Sequence, residues 1–333
     1  MSVCFLKMRK YSPLRQRPSL IRLLVSLIVF ALFGWYIATN WASFSEIRLT
    51  GWRFLVPAVL FYILNVLFMG LLVEQAMKPH GAELRVREAF GLSALTRFSK
   101  QFAPGYLGSA LRAAYYKKNF EIPYTKFSSS LVLSTLLQLM VSGLLAVLTY
   151  SVLVPGLNIT WQISTILFGI SAATIALYAP LSLARKAIKY IGARYPNKII
   201  KQLLIAVDEY LRVRKQPKFI YWSTAWALLA LLSSAGALYF YYLSLGTSVG
   251  VTGVVFISCL TSWTTLFSIT PSDIGVREGL MVFGAKVAGI PISVTLAAAI
   301  LLRVVQFVIV ALLASYYGPK LAGDTLKESS PST

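Results

Sequence analysis

The sequence predicts an all-α polytopic membrane helix bundle, and three observations carry that prediction. Of its 333 residues 57% are hydrophobic and only 13% charged, with a mean hydropathy of +0.70. That is more apolar surface than a water-soluble fold of this length can bury. The apolar residues gather in long uninterrupted runs, each able to cross a hydrocarbon core about 30 Å thick. Finally, a cassette occurs twice. Its first copy reads Pro104-Gly105-Tyr106-Leu107-Gly108, then Arg112, then Ile122-Pro123. Its second reads Pro271-Ser272-Asp273-Ile274-Gly275, then Arg277-Glu278, then Ile290-Pro291. Thr135 and Arg303 stand twelve residues beyond the second proline of each copy, and Gln138 and Gln306 fifteen beyond. A Pro/Gly break beside charged groups, repeated in two halves of an apolar chain, is the pattern of a transport site built from discontinuous helices.

In chain order, residues 1–22 form a basic tail with Lys7, Arg9, Lys10, Arg15, Arg17 and Arg22. The run 23–39 ends in Thr39-Asn40-Trp41 and not in a small-residue cleavage site. It reads as a retained first span with a cytoplasmic N-terminus, not a cleaved signal peptide. Further full spans are expected at 54–73, 127–153, 159–183, 219–245 and 293–317. Two segments read differently. The stretch 86–117 carries Arg97 and Lys100 and breaks at Pro104-Gly105; the stretch 249–290 is apolar to Ile269, breaks at Pro271 and resumes over 279–290.

Charge sets the expected orientation. The formal net charge is +21. Most Lys and Arg lie in the tail, in 74–126 and in 184–218, with few in 40–53, 154–158 and 246–248, so the first group is expected in the cytoplasm. If 86–117 and 249–290 are re-entrant hairpins dipping in from opposite sides, the halves 23–154 and 159–318 form an inverted repeat. The bundle then has about six full spans plus two broken or re-entrant helices, and both termini are cytoplasmic. The alternative is seven or eight full spans, with a crossing at 249–269 that puts the C-terminus outside. In the loop 184–218, Ile199, Ile200, Leu203, Leu204, Val207 and Leu211 share a helical face, with Lys198, Lys201, Asp208 and Arg212 mostly elsewhere. This predicts an amphipathic helix lying on anionic lipid; a solvated basic connector is the competing reading. The polar tail 319–333 is expected to be disordered.

Several function classes recede. Basic residues in blocks between apolar spans argue for membrane orientation and anionic lipid, not nucleic acid. Cys4 and Cys259 lie far apart, so neither a disulfide nor a redox spacing is expected. His80 is the sole histidine, and the eleven acids are scattered, so no metal site and no cofactor are expected. No Ser or Cys stands in a nucleophile setting. The chain is therefore expected not to be an enzyme, and no catalytic residue is assigned.

The candidate head-group-binding residues are Arg112, Arg277, Glu278, Arg303, Lys100 and Arg97. Arg303 lies in the middle of the last span, where an arginine is costly unless paired or facing a wet cavity. Glu278 is its expected partner. Arg112 and Arg277-Glu278 follow the breaks directly. There the restarted helix offers unpaired N–H groups and the positive end of its dipole, a setting suited to an anion of phosphate size. Pro104, Gly105, Gly108, Pro271 and Gly275 are the helix-break residues. Arg97 and Lys100 either line the mouth of the site or snorkel to head groups. Asp273 is expected to cap the helix after the second break, and Asn65, Gln138 and Gln306 to bond between helices.

The run Ile269-Thr270-Pro271-Ser272-Asp273-Ile274-Gly275-Val276-Arg277-Glu278-Gly279 closely resembles the hallmark of the lysylphosphatidylglycerol synthase transmembrane-region family, also described as flippase-like. Pro104-Gly105-Tyr106-Leu107-Gly108-Ser109 with Arg112 resembles its other signature. The resemblance covers about residues 20–318. The family usually has two glycines where Ser272 and Asp273 stand, and an acid where Ser109 stands. It often shows Glu-Arg and a nearby Asp where Ser134, Thr135 and Gln138 occur, so a thinner polar network is expected here. Bifunctional members attach lysine to phosphatidylglycerol through a soluble aminoacyl-transferase domain, which this chain is expected to lack. The resemblance implies a multi-pass protein of the bacterial or archaeal inner membrane that translocates a lipid. The expected partners are an aminoacylated or anionic phospholipid, or a polyprenyl-phosphate lipid, and a separately encoded lipid-modifying enzyme. A membrane scaffold for such an enzyme and an integral-membrane glycosyl- or phospho-transferase are the competing functions.

Overall fold

The computed structural model describes residues 49–102, 107–154, 185–186, 188–190, 198–266, 273 and 275–327. Among them every regular element is helical, and the protein is a polytopic membrane helix bundle. The expected spans 23–39 and 159–183, the tail 1–22 and the last residues of 319–333 lie outside the described residues.

The first long helix, α1 (Leu55–Met77), follows a 3₁₀ turn at Trp52–Phe54; a second 3₁₀ turn, Lys78–His80, closes it onto Gly81. A broken pair comes next, α2 (Val86–Phe102) and α3 (Leu107–Phe120), and then α4 (Tyr124–Leu153). After α5 (Lys198–Val213) the order repeats: a long α6 (Pro217–Ser244), a short pair α7 (Val251–Ser262) and α8 (Val276–Val287), and a long α9 (Ile292–Lys327). Among the described residues four stretches are long and apolar enough to cross a membrane: Trp52–His80, Tyr124–Leu153, Pro217–Ser244 and Ile292–Leu321. They answer to four of the six expected spans. Their outward faces are apolar as well: Val56, Leu60 and Leu64 make a stripe on α1, and Val304, Phe307, Val308 and Leu312 one on α9. A helix hydrophobic all round belongs in lipid.

At 12 residues each, α7 and α8 rise only about 18 Å, short of a hydrocarbon core of about 30 Å. They run antiparallel in contact. A Cβ on Gly284 would meet Ile257 and Leu260, and one on Gly253 would meet Ala288. The chain therefore returns to the end from which it entered, as the hairpin reading of 249–290 expects. In the first half, a Cβ on Gly108 would come within 2.6 Å of the Thr96 carbonyl oxygen, so α3 folds back closely on α2.

The two halves are related by inversion. α1 and α6 pack antiparallel: Gly51 N donates to Ser244 O (3.1 Å), Asn65 Nδ2 to Ala230 O (2.6 Å), and Phe68 stacks on Trp226. Asn65 and Ala230 are 165 residues apart. The same offset separates Trp52 from Pro217 and Val86 from Val251, the starts of matching elements. A pseudo-twofold axis therefore passes between Asn65 and Ala230, across the helix axes. The remaining packing obeys it: α2 lies on α9 through Phe90 and Tyr317, and α7 on α4 through Phe256 and Tyr150. The His80–Ser130 hydrogen bond joins the end of α1 to the start of α4 as the Tyr242–Thr295 bond joins α6 to α9. The hairpins thus open at opposite ends of the bundle.

Two apolar cores result. One is built around Tyr62, Tyr241, Tyr242, Ile257 and Met281, the other around Met77, Tyr116, Phe127, Leu133 and Val213. α5 belongs to the second. Tyr210 and Val213 are buried there, and Glu209 reaches His80 Nδ1 at 3.4 Å and Arg212 at 3.5 Å. The helix expected in 184–218 exists, but its C-terminal end is docked on the bundle, because its aromatic and polar residues find partners there that periodicity alone does not reveal.

Candidate functional site

The second break is closed by its own helix start. Gly275, at φ 90°, is the N-cap of α8, in a conformation that only glycine adopts without strain. Glu278, three residues on, folds back so that Oε2 accepts from Gly275 N at 2.7 Å, the return half of a capping box. Its other oxygen, Oε1, accepts from Arg303 Nε at 2.6 Å and lies in ion-pair contact with Nη2, also at 2.6 Å. One carboxylate therefore caps α8 and ties it to the middle of α9. This is the pair the sequence suggests, and it offsets the cost of an arginine in an apolar span. Arg277 Nη1 donates to Gln306 Oε1 over a long 3.4 Å. Asp273 is not the cap. It stands two residues ahead of Gly275 with φ 56°, because the positive-φ glycine and Glu278 already end the break.

In the first hairpin, Arg112 is 8% exposed, and its Nε donates to Thr96 Oγ1 at 2.7 Å. The missing side chain at Gly108 lets α3 approach closely enough for that bond. Arg97 Nη2 donates to Asn65 Oδ1 at 2.7 Å, and its guanidinium lies 5.6 Å from the centre of the Tyr62 ring. Asn65 in turn donates to the Ala230 carbonyl, on the pseudo-twofold axis.

The two constellations meet. Lys100, at the end of α2, lies within electrostatic reach of Asp273 from the other half, and of Arg97 and Arg112. Arg277 is in similar reach of Arg303, Glu278, Tyr62 and Arg97. All six head-group candidates therefore belong to one cluster in the centre of the bundle. Among the described residues, five cations meet two carboxylates there, an excess of three positive charges. Among the described residues, Arg97, Arg112 and Arg277 form no ion pair within 4 Å of a carboxylate. Clustered guanidinium groups with donors in fixed forks suit the oxygens of a phosphate.

Of the break residues, Gly108 lies in the first turn of α3 against the Thr96 carbonyl and Gly275 precedes α8 at φ 90°, while Pro104, Gly105 and Pro271 lie outside the described residues. Asn65 and Gln306 do bond between helices, but each also receives a site arginine. Thr96 and Tyr62 carried no signal, since a threonine and a tyrosine in apolar runs look like ordinary core residues. Thr135, the repeat partner of Arg303, donates to Leu131 O of its own helix. Among the described residues, no three His, Cys, Asp or Glu side chains gather where they could hold a metal ion.

Residues 19–314 match the family described as lysylphosphatidylglycerol synthase TM region. The match spans most of the chain, which belongs to this family and so has a membrane lipid-related role. No curated protein matches the chain.

Proposed function

We propose that this member of the lysylphosphatidylglycerol synthase transmembrane-region family is a flippase-like transporter, not an enzyme. Its cargo is a polar lipid, anionic or aminoacylated, on a phospholipid or polyprenyl-phosphate base. The head group passes between leaflets through the central cluster while the acyl chains stay in lipid. Arg97, Lys100, Arg112, Arg277 and Arg303 replace the water around its phosphate. The observation that carries this reading is the convergence of both broken hairpins, entering from opposite ends, on one cation-rich centre. Helix breaks that place charge at mid-depth are costly in a protein that only packs.

The protein is proposed to sit in the cell membrane with its N-terminus in the cytoplasm, in keeping with its basic loops. Reporter fusions at Ser329 and within 194–198 should then both report cytoplasm. Its partners are membrane lipids and, in the same pathway, a separately encoded lipid-modifying enzyme. The direct test is movement of labelled lipid in vesicles containing the purified protein. Arg303→Ala should abolish it while the protein still inserts, and Arg303→Lys should restore it only in part, because lysine lacks the bidentate fork. Unchanged movement in Arg303→Ala would relegate this residue to packing, and no lipid movement by the unsubstituted protein would favour the scaffold reading.

A further inference from the structure

We infer that the central cluster selects head groups of net negative charge, above all phosphomonoester or diphosphate lipids, and rejects lipids esterified with a basic amino acid. The inference rests on the transport reading for the existence of a head-group site and adds which head group fits it.

A lysine ester on phosphatidylglycerol brings two ammonium groups against a single phosphate charge. To hold them a site needs carboxylates or open aromatic faces. Among the described residues, Glu278 and the Tyr62 ring are already engaged within the protein, and Asp273 stands close to a cation. Glu278 has each oxygen engaged, Oε1 by Arg303 and Oε2 by the Gly275 amide. Asp273 lies in the field of Lys100. The ring of Tyr62 faces Arg97. Among the described residues an added ammonium would enter an excess of positive charge, and that repulsion is a specificity device in itself.

A phosphate meets the opposite situation. Arg112 uses Nε on the Thr96 hydroxyl, Arg97 uses Nη2 on Asn65, and Arg277 reaches Gln306 only at 3.4 Å. Each guanidinium keeps further donors for an anion. A phosphomonoester, with a charge near −1.5 to −2 at neutral pH, offsets more of the excess than a phosphodiester does. The expected order of preference is phosphatidic acid, then phosphatidylglycerol, then lysyl-phosphatidylglycerol.

The experiment uses the full chain twice: in detergent, to measure binding of these three lipids, and in phosphatidylcholine vesicles, to measure their movement. Phosphatidic acid should bind at least about tenfold more tightly than lysyl-phosphatidylglycerol. Arg112→Gln should shrink that ratio severalfold. Lys100→Gln, at the half-buried C-terminal end of α2, gives the same reading if the first variant does not fold. The exposed Lys215→Gln should leave the ratio alone, separating the cluster from the general attraction of a basic protein for anionic lipid. Equal or tighter binding of lysyl-phosphatidylglycerol overturns the inference, as does a ratio untouched by both cluster variants. Selective binding of phosphatidic acid without movement of any lipid supports the selectivity and defeats the transport reading. Preferred binding and movement of lysyl-phosphatidylglycerol does the reverse.

Discussion

The two hairpins are built to one plan and charged differently. In the second, Glu278 neutralises Arg303 and caps α8, so the break is locked to the last span by its own carboxylate. In the first, Arg112 rests on the hydroxyl of Thr96, Ser109 stands where the family usually has an acid, and Thr135 occupies the place of Arg303 and bonds within its own helix. The twofold-related sites have diverged: the second keeps a neutralised Arg303–Glu278 frame beside Arg277, and the first holds its arginine without a carboxylate among the described residues. The difference teaches that helix breaks supply geometry in both halves, while the partner chosen for each arginine decides whether it holds the fold or awaits an anion.

The sharpest way to break this comparison is to remove the second half's carboxylate. Glu278→Gln leaves Arg303 without its counter-charge and is expected to cost about 3–5 kcal/mol of stability, read as earlier thermal unfolding in detergent. Glu278→Gln with Arg303→Met should recover most of that loss without restoring lipid movement. Full stability in Glu278→Gln alone would show that the pair frames nothing.

Next in size is the hinge of the first half. Gly108→Val drives a side chain into the Thr96 carbonyl and should cost about 1–3 kcal/mol by overpacking. Unfolding should shift accordingly, and lipid binding should fall with it as Arg112 is carried away from Thr96. A silent Gly108→Val would mean that the arms do not need their close approach.

The arginines themselves sharpen the contrast. Arg112→Ala and Arg277→Ala should each weaken binding of an anionic lipid about tenfold. If both meet one phosphate, the double variant should bind scarcely more weakly than the worse single one. Losses that simply add would make them two separate interfacial arginines. The smallest effect is expected on the axis: Asn65→Ala removes one interhelical hydrogen bond and the acceptor of Arg97, about 1 kcal/mol. A double-mutant cycle with Arg97→Ala should show coupling between them, and its absence would detach Arg97 from the frame.

Much of this was legible in the chain, for identifiable reasons. The four described spans follow from runs of apolar residues long enough for a bilayer. The hairpins follow from Pro/Gly breaks set beside charge. The Glu278–Arg303 pair follows from the expense of a lone arginine at mid-span. The role of Arg97 was open, because a basic residue near a helix end snorkels as readily as it binds. Asp273 was misread as a cap, since the sequence does not show that Gly275 takes the positive φ and that Glu278 reaches back to it. The docking of α5 through Tyr210, Val213 and Glu209 was hidden because its partners, among them His80, lie more than a hundred residues away.

What the sequence determined by itself is local or one-dimensional: hydrophobic run length, the placement of basic blocks, the repeat of the cassette and the residue types at each break. Each of these depends on neighbours along the chain or on the bilayer as a solvent, so composition and spacing suffice. Only the tertiary structure decided that α1 and α6 cross at Asn65 and Ala230 with opposite direction, that the charged residues flanking the breaks come near one another, and that both Glu278 oxygens are engaged while Arg112, Arg97 and Arg277 face no carboxylate among the described residues. Those are facts of packing between segments separated by half the chain. The charge state of the site follows from them, because a cation's partner is whatever the fold brings within hydrogen-bonding distance.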